Sequence, residues 1–360
     1  MIVTRTPFRI TLGGGGTDLP SYYSQHGGFV FSMALNKYMY IMLNQPCVDD
    51  FIRLHYSESE TVSHVSELKH GLAREALRYH GIERKLEISS MADLPAGTGV
   101  GSSSVYLVGL LTALHQYRRD FVSLQQIAEE ACDIELNVLG KSVGKQDQYI
   151  ATFGGLTTLT IAKDGTVEVA RISISAGSMA AFVANTHIYY TGFRRDAPEV
   201  LSAQDSAMKS AAAPRHQTVS ESLHRIKDLG YRIQDAIEAE DFDAWGLMLD
   251  EHWQNKKQLS PGVSLGLIDL VYDEVRREYG VLGGKIIGAG GGGFLMLDCP
   301  REHKRLERFM ESRGMPRLDY ALEPEGAKVV ASFSSGPAQP RHVSSRENGR
   351  SPISQTALVR

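Results

Sequence analysis

Between residues 94 and 104 the chain reads Leu-Pro-Ala-Gly-Thr-Gly-Val-Gly-Ser-Ser-Ser, and an apolar, helix-forming run from Val105 to Tyr117 follows at once. Glycines at 97, 99 and 101 let backbone amides approach a bound group with no side chain in the way. Ser102, Ser103 and Ser104 then fall at a helix N-terminus, where free N–H groups and the positive dipole end favour an anion. A serine hydroxyl there is also the oxygen ligand that Mg2+ prefers. No Gly-Lys-Ser/Thr closes this loop, so the segment is not a Walker A loop and supplies no P-loop lysine.

Two more glycine clusters flank this one in sequence. Thr6-Pro-Phe-Arg9-Ile-Thr-Leu-Gly13-Gly14-Gly15-Gly16-Thr17-Asp18 combines close backbone approach with a carboxylate suited to neighbouring sugar hydroxyls. Arg9 adds a fixed positive charge. Gly288-Ala-Gly290-Gly291-Gly292-Gly293 lies between apolar runs, where it can cover a ligand or simply connect two strands. Gly144-Lys-Gln-Asp147-Gln offers a carboxylate, and Glu135 lies upstream on a helix expected from Leu124 to Val138 behind the cap Ser123. One carboxylate can take a hydroxyl proton and another can hold Mg2+. Each piece alone also reads as a turn or a capped helix. Together they describe a site for polyphosphate and polyol.

With 360 residues the chain can build two cores. A net charge of −4 does not suggest a nucleic-acid surface, which would normally be clearly basic. Cys47, Cys132 and Cys299 are widely spaced with no CxxC pair, so reduced, buried thiols are expected rather than a disulfide framework or zinc site. The first residues lack an apolar signal core, and no apolar run is long enough for a membrane span. The expectation is a soluble, cytoplasmic protein without nucleic-acid or membrane partners.

Strands are expected at Tyr38–Leu43, Phe51–His55 and Leu86–Ser89, a helix at Ser66–Tyr79, and a hairpin of Leu156–Ile161 and Val167–Ile172 around Lys163-Asp164-Gly165. A second unit is expected from about Met179. It opens with a strand at Phe182–Tyr190, continues with helices between Pro198 and Tyr279, and ends with strands at Phe294–Leu297 and Lys328–Phe333 around a helix at Glu302–Ser312. The class is α+β, with units at 1–178 and 179–334. Residues 335–360, rich in Ser, Pro and Arg, read as a disordered tail.

In this order the motifs resemble the GHMP kinases, over roughly residues 3 to 333. The family pattern Pro-x-x-x-Gly-Leu-Gly-Ser-Ser-Ala is matched by Pro95 to Ser104, and the C-terminal glycine motif by Gly288 to Gly293. The resemblance implies an N-terminal domain like domain 2 of ribosomal protein S5 and a ferredoxin-like C-terminal domain. It implies ATP under the Pro95–Ser104 loop, contacting Pro95, Gly97, Gly99, Gly101 and Ser102 to Ser104. Asp147 matches the catalytic Asp of galactokinases, Arg9 its basic partner, and Asp18 their sugar-binding Asp. Gly15, Gly16, Thr17, Gly290 and Gly291 are implied substrate neighbours. Ser103 and Glu135 match the Mg2+ ligands of mevalonate kinase.

Galactokinases carry Gly-Glu-His-Thr-Asp where this chain has Gly14-Gly15-Gly16-Thr17-Asp18, which argues against galactose. Ser104 replaces the usual Ala. Within the family, the opening segment and Tyr190-Thr-Gly-Phe-Arg194-Arg195 look like the bacterial heptose 7-phosphate kinases. That likeness implies phosphorylation of the anomeric hydroxyl of D-glycero-D-manno-heptose 7-phosphate to the 1,7-bisphosphate, for nucleotide-heptose and surface polysaccharide synthesis. Arg194 and Arg195 are then the preferred holders of the sugar phosphate, with Lys37 and Arg53 as alternatives. A guanidinium beside Asp147 is expected to lower its pKa. Kinases for fucose-, arabinose- or mannose-type sugars and a non-catalytic ATP and sugar sensor are the competing readings. A homodimer is one assembly the sequence allows.

Overall fold

A computed structural model describes residues 1–193, 197–209, 212 and 215–333. The first sheet contains β1 (Ile2–Gly13), β2 (Gly28–Asn44), β3 (Ile52–His55), β4 (Ser59–Val62), β5 (Leu86–Ala92), β6 (Leu156–Ile161) and β7 (Val167–Arg171). The second contains β8 (Thr186–Tyr190), β9 (Gly283–Ile286) and β10 (Phe294–Asp298), in the antiparallel order β8-β10-β9. The last strand, β11 (Lys328–Ser332), returns to the first sheet and gives the order β11-β1-β2-β5-β3-β4, with β6 and β7 branching from β2.

The helices are α1 (Pro20–His26), α2 (Gly71–Tyr79), α3 (Ser102–Arg118), α4 (Leu124–Cys132), α5 (Gln146–Phe153) and α6 (Ala176–Asn185). After β8 come α7 (Ala197–Lys209), α8 (His216–Glu238), α9 (Phe242–Lys257), α10 (Gly266–Glu278) and, behind β10, α11 (His303–Ser312). Among the described residues no helix is long and apolar enough to cross a membrane.

β1 organises the molecule. Its first residues alternate between buried and half-buried, and from Thr6 onward every residue is buried. The reason is that β1 is covered on both faces, by α3 and α5 and by α8 and α9. α3 is in turn buried all round from Ser104 to His115, as an interior helix should be. Phe8, Ile10 and Phe31 of the first sheet share one core with Phe182, Trp245 and Phe294 of the second unit.

Several expectations need correcting. Residues 182–185 are helical, the end of α6, because Ser175 caps an alanine-rich run by accepting from the Ser178 amide at 3.0 Å. The helix expected to continue to Val138 is α-helical only to Cys132, and Asp133–Val138 is a π-helix. The Lys328–Phe333 strand, expected in the second unit, pairs with β1. Cys132 and Cys299 are buried free thiols, whereas Cys47 is exposed. Residues 335–360 lie outside the described residues.

Candidate active site

A cavity of about 820 Å³ is lined by β1, the Gly97–Ser104 loop, the segment before α5, α9 and the turn after β9. Arg9 projects into it from β1 with only 2% of its surface exposed. Its Nε donates to Asp147 Oδ1 at 2.6 Å, and its Nη1 donates to the Gly99 carbonyl at 2.7 Å. One guanidinium therefore joins the carboxylate to the glycine-rich loop. Asp147 sits in the first turn of α5, where the helix dipole favours an anion. Gly101, at φ +84°, leaves the space it needs, since a Cβ there would come within 2.9 Å of Asp147 Oδ2.

Burial pushes the Asp147 carboxyl above its ordinary range, Arg9 pulls it down, and Asp18 and Glu135 push it further up. The net direction is upward, opposite to the shift expected from Arg9 alone. Desolvation outweighs the ion pair because the carboxyl lies deep in the cavity, even though 23% of its side chain remains open.

Asp18 is buried beside it. Its Oδ1 accepts from the Gly16 amide at 3.0 Å and its Oδ2 from the Gln146 amide at 3.1 Å. Gly15, Gly16 and Asp18 line the cavity. Thr17 does not; its hydroxyl donates to the carbonyls of Gly14 and Phe29 and fixes the turn.

Glu135 is fully buried in the π-helix, a distortion that often marks functional positions. It accepts from Ser103 Oγ at 3.2 Å, Ser104 Oγ at 2.5 Å and Gln148 Nε2 at 2.7 Å, and pairs with Lys141 Nζ at 3.0 Å. Ser103 and Glu135 are thus adjacent, and their oxygens form a hard donor set that fits Mg2+. Lys141 now holds the position that a cation on Glu135 Oε1 would take.

Sequence reasoning missed His252, Lys256 and Lys285, which are buried and line the same cavity. Lys256 Nζ donates to the carbonyls of Ile286 and Gly288, and Lys285 Nζ to that of Leu12 at 3.1 Å. Burial and Arg9 push the Lys256 amine down to about 7; burial, Lys256 and Arg9 push Lys285 well below its usual range. Burial and the two lysines likewise hold His252 neutral. The available signals were a lysine inside an apolar run and a His–Lys pair four residues apart on one helix face.

In the C-terminal glycine motif it is Gly288 and Ala289 that reach the cavity. Gly290 and Gly291 turn onto Val263, whose carbonyl accepts from the Gly291 amide at 2.8 Å. Arg53 is engaged by Asp49 at 2.7 Å, and neither it nor Lys37 lines the cavity. Arg194 and Arg195 lie outside the described residues.

Two family profiles match this chain: the GHMP kinases N-terminal domain over residues 65–155 and the GHMP kinases C-terminal domain over residues 233–314. The chain belongs to the GHMP kinase family. It is therefore a phosphotransferase acting on a hydroxyl, in a family that takes its phosphoryl group from ATP. This GHMP kinase is 26% identical over 342 residues to D-glycero-alpha-D-manno-heptose 7-phosphate kinase of Campylobacter jejuni, covering 91% of the chain and 98% of that protein. It is 28% identical over 224 residues to mevalonate kinase of Methanothermobacter thermautotrophicus, over 60% of the chain and 65% of that protein. In fold it resembles a crystal structure described as a D-glycero-D-manno-heptose 1-phosphate kinase from Bacteroides thetaiotaomicron. The TM-score there is 0.76 at 22% identity, over 93% of this chain and 100% of the other.

Proposed function

We propose that this GHMP kinase transfers the γ-phosphoryl group of ATP to the anomeric hydroxyl of a heptose 7-phosphate. The observation that carries the transfer is Asp147, held at the cavity floor by an arginine that also grips the glycine-rich loop. The acceptor rests on the full-length similarity to the Campylobacter jejuni kinase.

The triphosphate lies on the Gly97–Ser104 loop and the N-terminus of α3. Buried Arg9 supplies positive charge, and an anionic ligand favours the charged forms of Lys256 and Lys285 that burial otherwise disfavours. Ser103 and Glu135 would hold Mg2+ in place of the Lys141 contact, and the ion would supply neutralisation of phosphate charge. The acceptor sugar rests against Gly15, Gly16 and Asp18. Asp147 accepts the hydroxyl proton as the new O–P bond forms. Its raised pKa makes it a stronger base than a free carboxylate. Arg194 and Arg195 are retained as the proposed partners of the sugar's own phosphate.

An ADP-release assay with MgATP and a panel of heptose 7-phosphate, mannose, fucose, galactose and mevalonate tests this reading, with phosphorus NMR of the product. Turnover of heptose 7-phosphate with a new anomeric phosphate signal is expected. Preference for another sugar replaces the acceptor but keeps the fold and base. ATP binding without any turnover favours a sensor.

Gly144→Ala probes the sugar side. A Cβ there would lie 1.8 Å from Asp18 Oδ2 and would force that carboxylate out of place. The acceptor KM is expected to rise by roughly tenfold or more, as for a lost hydrogen bond to a charged group. The KM for ATP should stay near its wild-type value. An unchanged acceptor KM in initial-rate kinetics would remove Asp18 from the sugar site.

A further inference from the structure

At the far end of α3 from the glycine-rich loop lies a second cluster of polar side chains that phosphoryl transfer does not use. His115 is near the C-terminus of α3, about 20 Å along the helix axis from Ser102 at 1.5 Å per residue. His80 caps the C-terminus of α2, and Glu130 comes from α4. The two histidines are each at most 6% exposed, and the Glu130 side chain is 11% exposed.

The three converge on one point. Glu130 Oε2 lies 2.7 Å from His115 Nε2 and 3.8 Å from His80 Nε2. All three atoms lie within 4.8 Å of one another, and the two imidazole rings stand edge to face with centroids 4.8 Å apart. His80 Nε2 is buried and has no hydrogen-bond partner, although it faces this carboxylate. A buried polar atom without a partner costs about 1–3 kcal/mol. Gln126 Nε2 donates to the other carboxylate oxygen, Glu130 Oε1, at 3.0 Å, and so fixes the orientation of the group. Metal-binding carboxylates commonly have such support.

We propose that His80, His115 and Glu130 form a binding site for a divalent transition metal of the zinc class. Two imidazole nitrogens and one carboxylate oxygen are a zinc-type donor set, with ligand bonds of roughly 2.0–2.2 Å. Tetrahedral bonds of that length place ligand atoms roughly 3.3 Å apart. The present spacings bracket that value. Water completes the fourth position. Bound metal ties together the ends of α2 and α3 and the middle of α4, behind the helix that carries the phosphate-binding serines.

The test uses the full chain with MgATP in excess, to compete with zinc at Ser103 and Glu135. Zn2+ is added, the protein is dialysed against metal-free buffer, and zinc is measured by mass spectrometry. One equivalent per chain is expected, with a zinc-dependent rise in Tm. His80→Gln and Glu130→Gln, which keep side-chain bulk, should each weaken binding by roughly a hundredfold or more and abolish the Tm rise. Wild-type protein that retains no zinc overturns the proposal, as does one equivalent retained in both variants. If a variant fails to fold, Co2+ added to the wild type decides. Visible ligand-field bands of a four-coordinate nitrogen and oxygen site support the assignment, and their absence overturns it.

Discussion

Replacing Asp147 by Asn is expected to lower kcat by roughly a hundredfold or more, the usual contribution of a general base. ATP affinity should be unchanged. Asn preserves the size of the side chain and can still accept from Arg9 Nε, so the loop contact to Gly99 survives. What it cannot do is take a proton. Because burial raises the Asp147 pKa, the wild-type kcat/KM should fall as pH drops through a value above the ordinary aspartate range. The sign follows from the base having to be ionised: activity is present above that pKa and lost below it. In the Asn variant this acid limb should vanish. A variant that turns over at the wild-type rate would remove Asp147 from the base role, and a retained acid limb would assign it to another group.

Arg9→Met should combine a loss of stability with a loss of rate. The change strips a cation from a carboxylate and a donor from the Gly99 carbonyl. Breaking a buried ion pair by deleting one member costs about 3–5 kcal/mol. The partly open Asp147 puts this case near about 3 kcal/mol, read from the urea midpoint at unchanged m. Arg9 lowers the Asp147 pKa, so its removal should move the acid limb of any residual activity to higher pH. Arg9→Lys restores charge but not the fork that reaches both Asp147 and Gly99, and should recover only part of the stability. If Arg9→Met keeps the wild-type urea midpoint, the pair contributes nothing to folding.

The glycine clusters were legible because their chemistry is local: each needs close backbone approach within a few residues, and the sequence order names them. The same holds for the β6–β7 hairpin, whose strands match the expected runs to within one residue around a Lys-Asp-Gly turn. Long-range consequences were not legible. β1 looked like a glycine-rich loop because its alternation is lost where both faces are covered. Lys256 and Lys285 reach the cavity only through the packing of α9 against both β9 and β1, and no spacing rule connects residues 9, 256 and 285. The upward shift at Asp147 was missed for the same reason. The sequence places a guanidinium nearby but does not say how dry the surroundings are. The roles of Gly290 and Gly291 were assigned by motif, while the turn they form shows only in three dimensions.

The pairing of β11 with β1 has a consequence during synthesis. Residues Ile2 to Arg5 are made before the strands they pair with; they bond on one side to β2, and their other neighbour is Lys328 to Ser332. A ribosome adding roughly 5–20 residues per second needs roughly 15 to 60 s to travel from the end of β2 to that last strand. For that interval the nascent sheet carries an open edge, the kind of surface that recruits foreign strands. The strand bearing Arg9 is thus the earliest part of the proposed catalytic apparatus to be made and the last to be sealed.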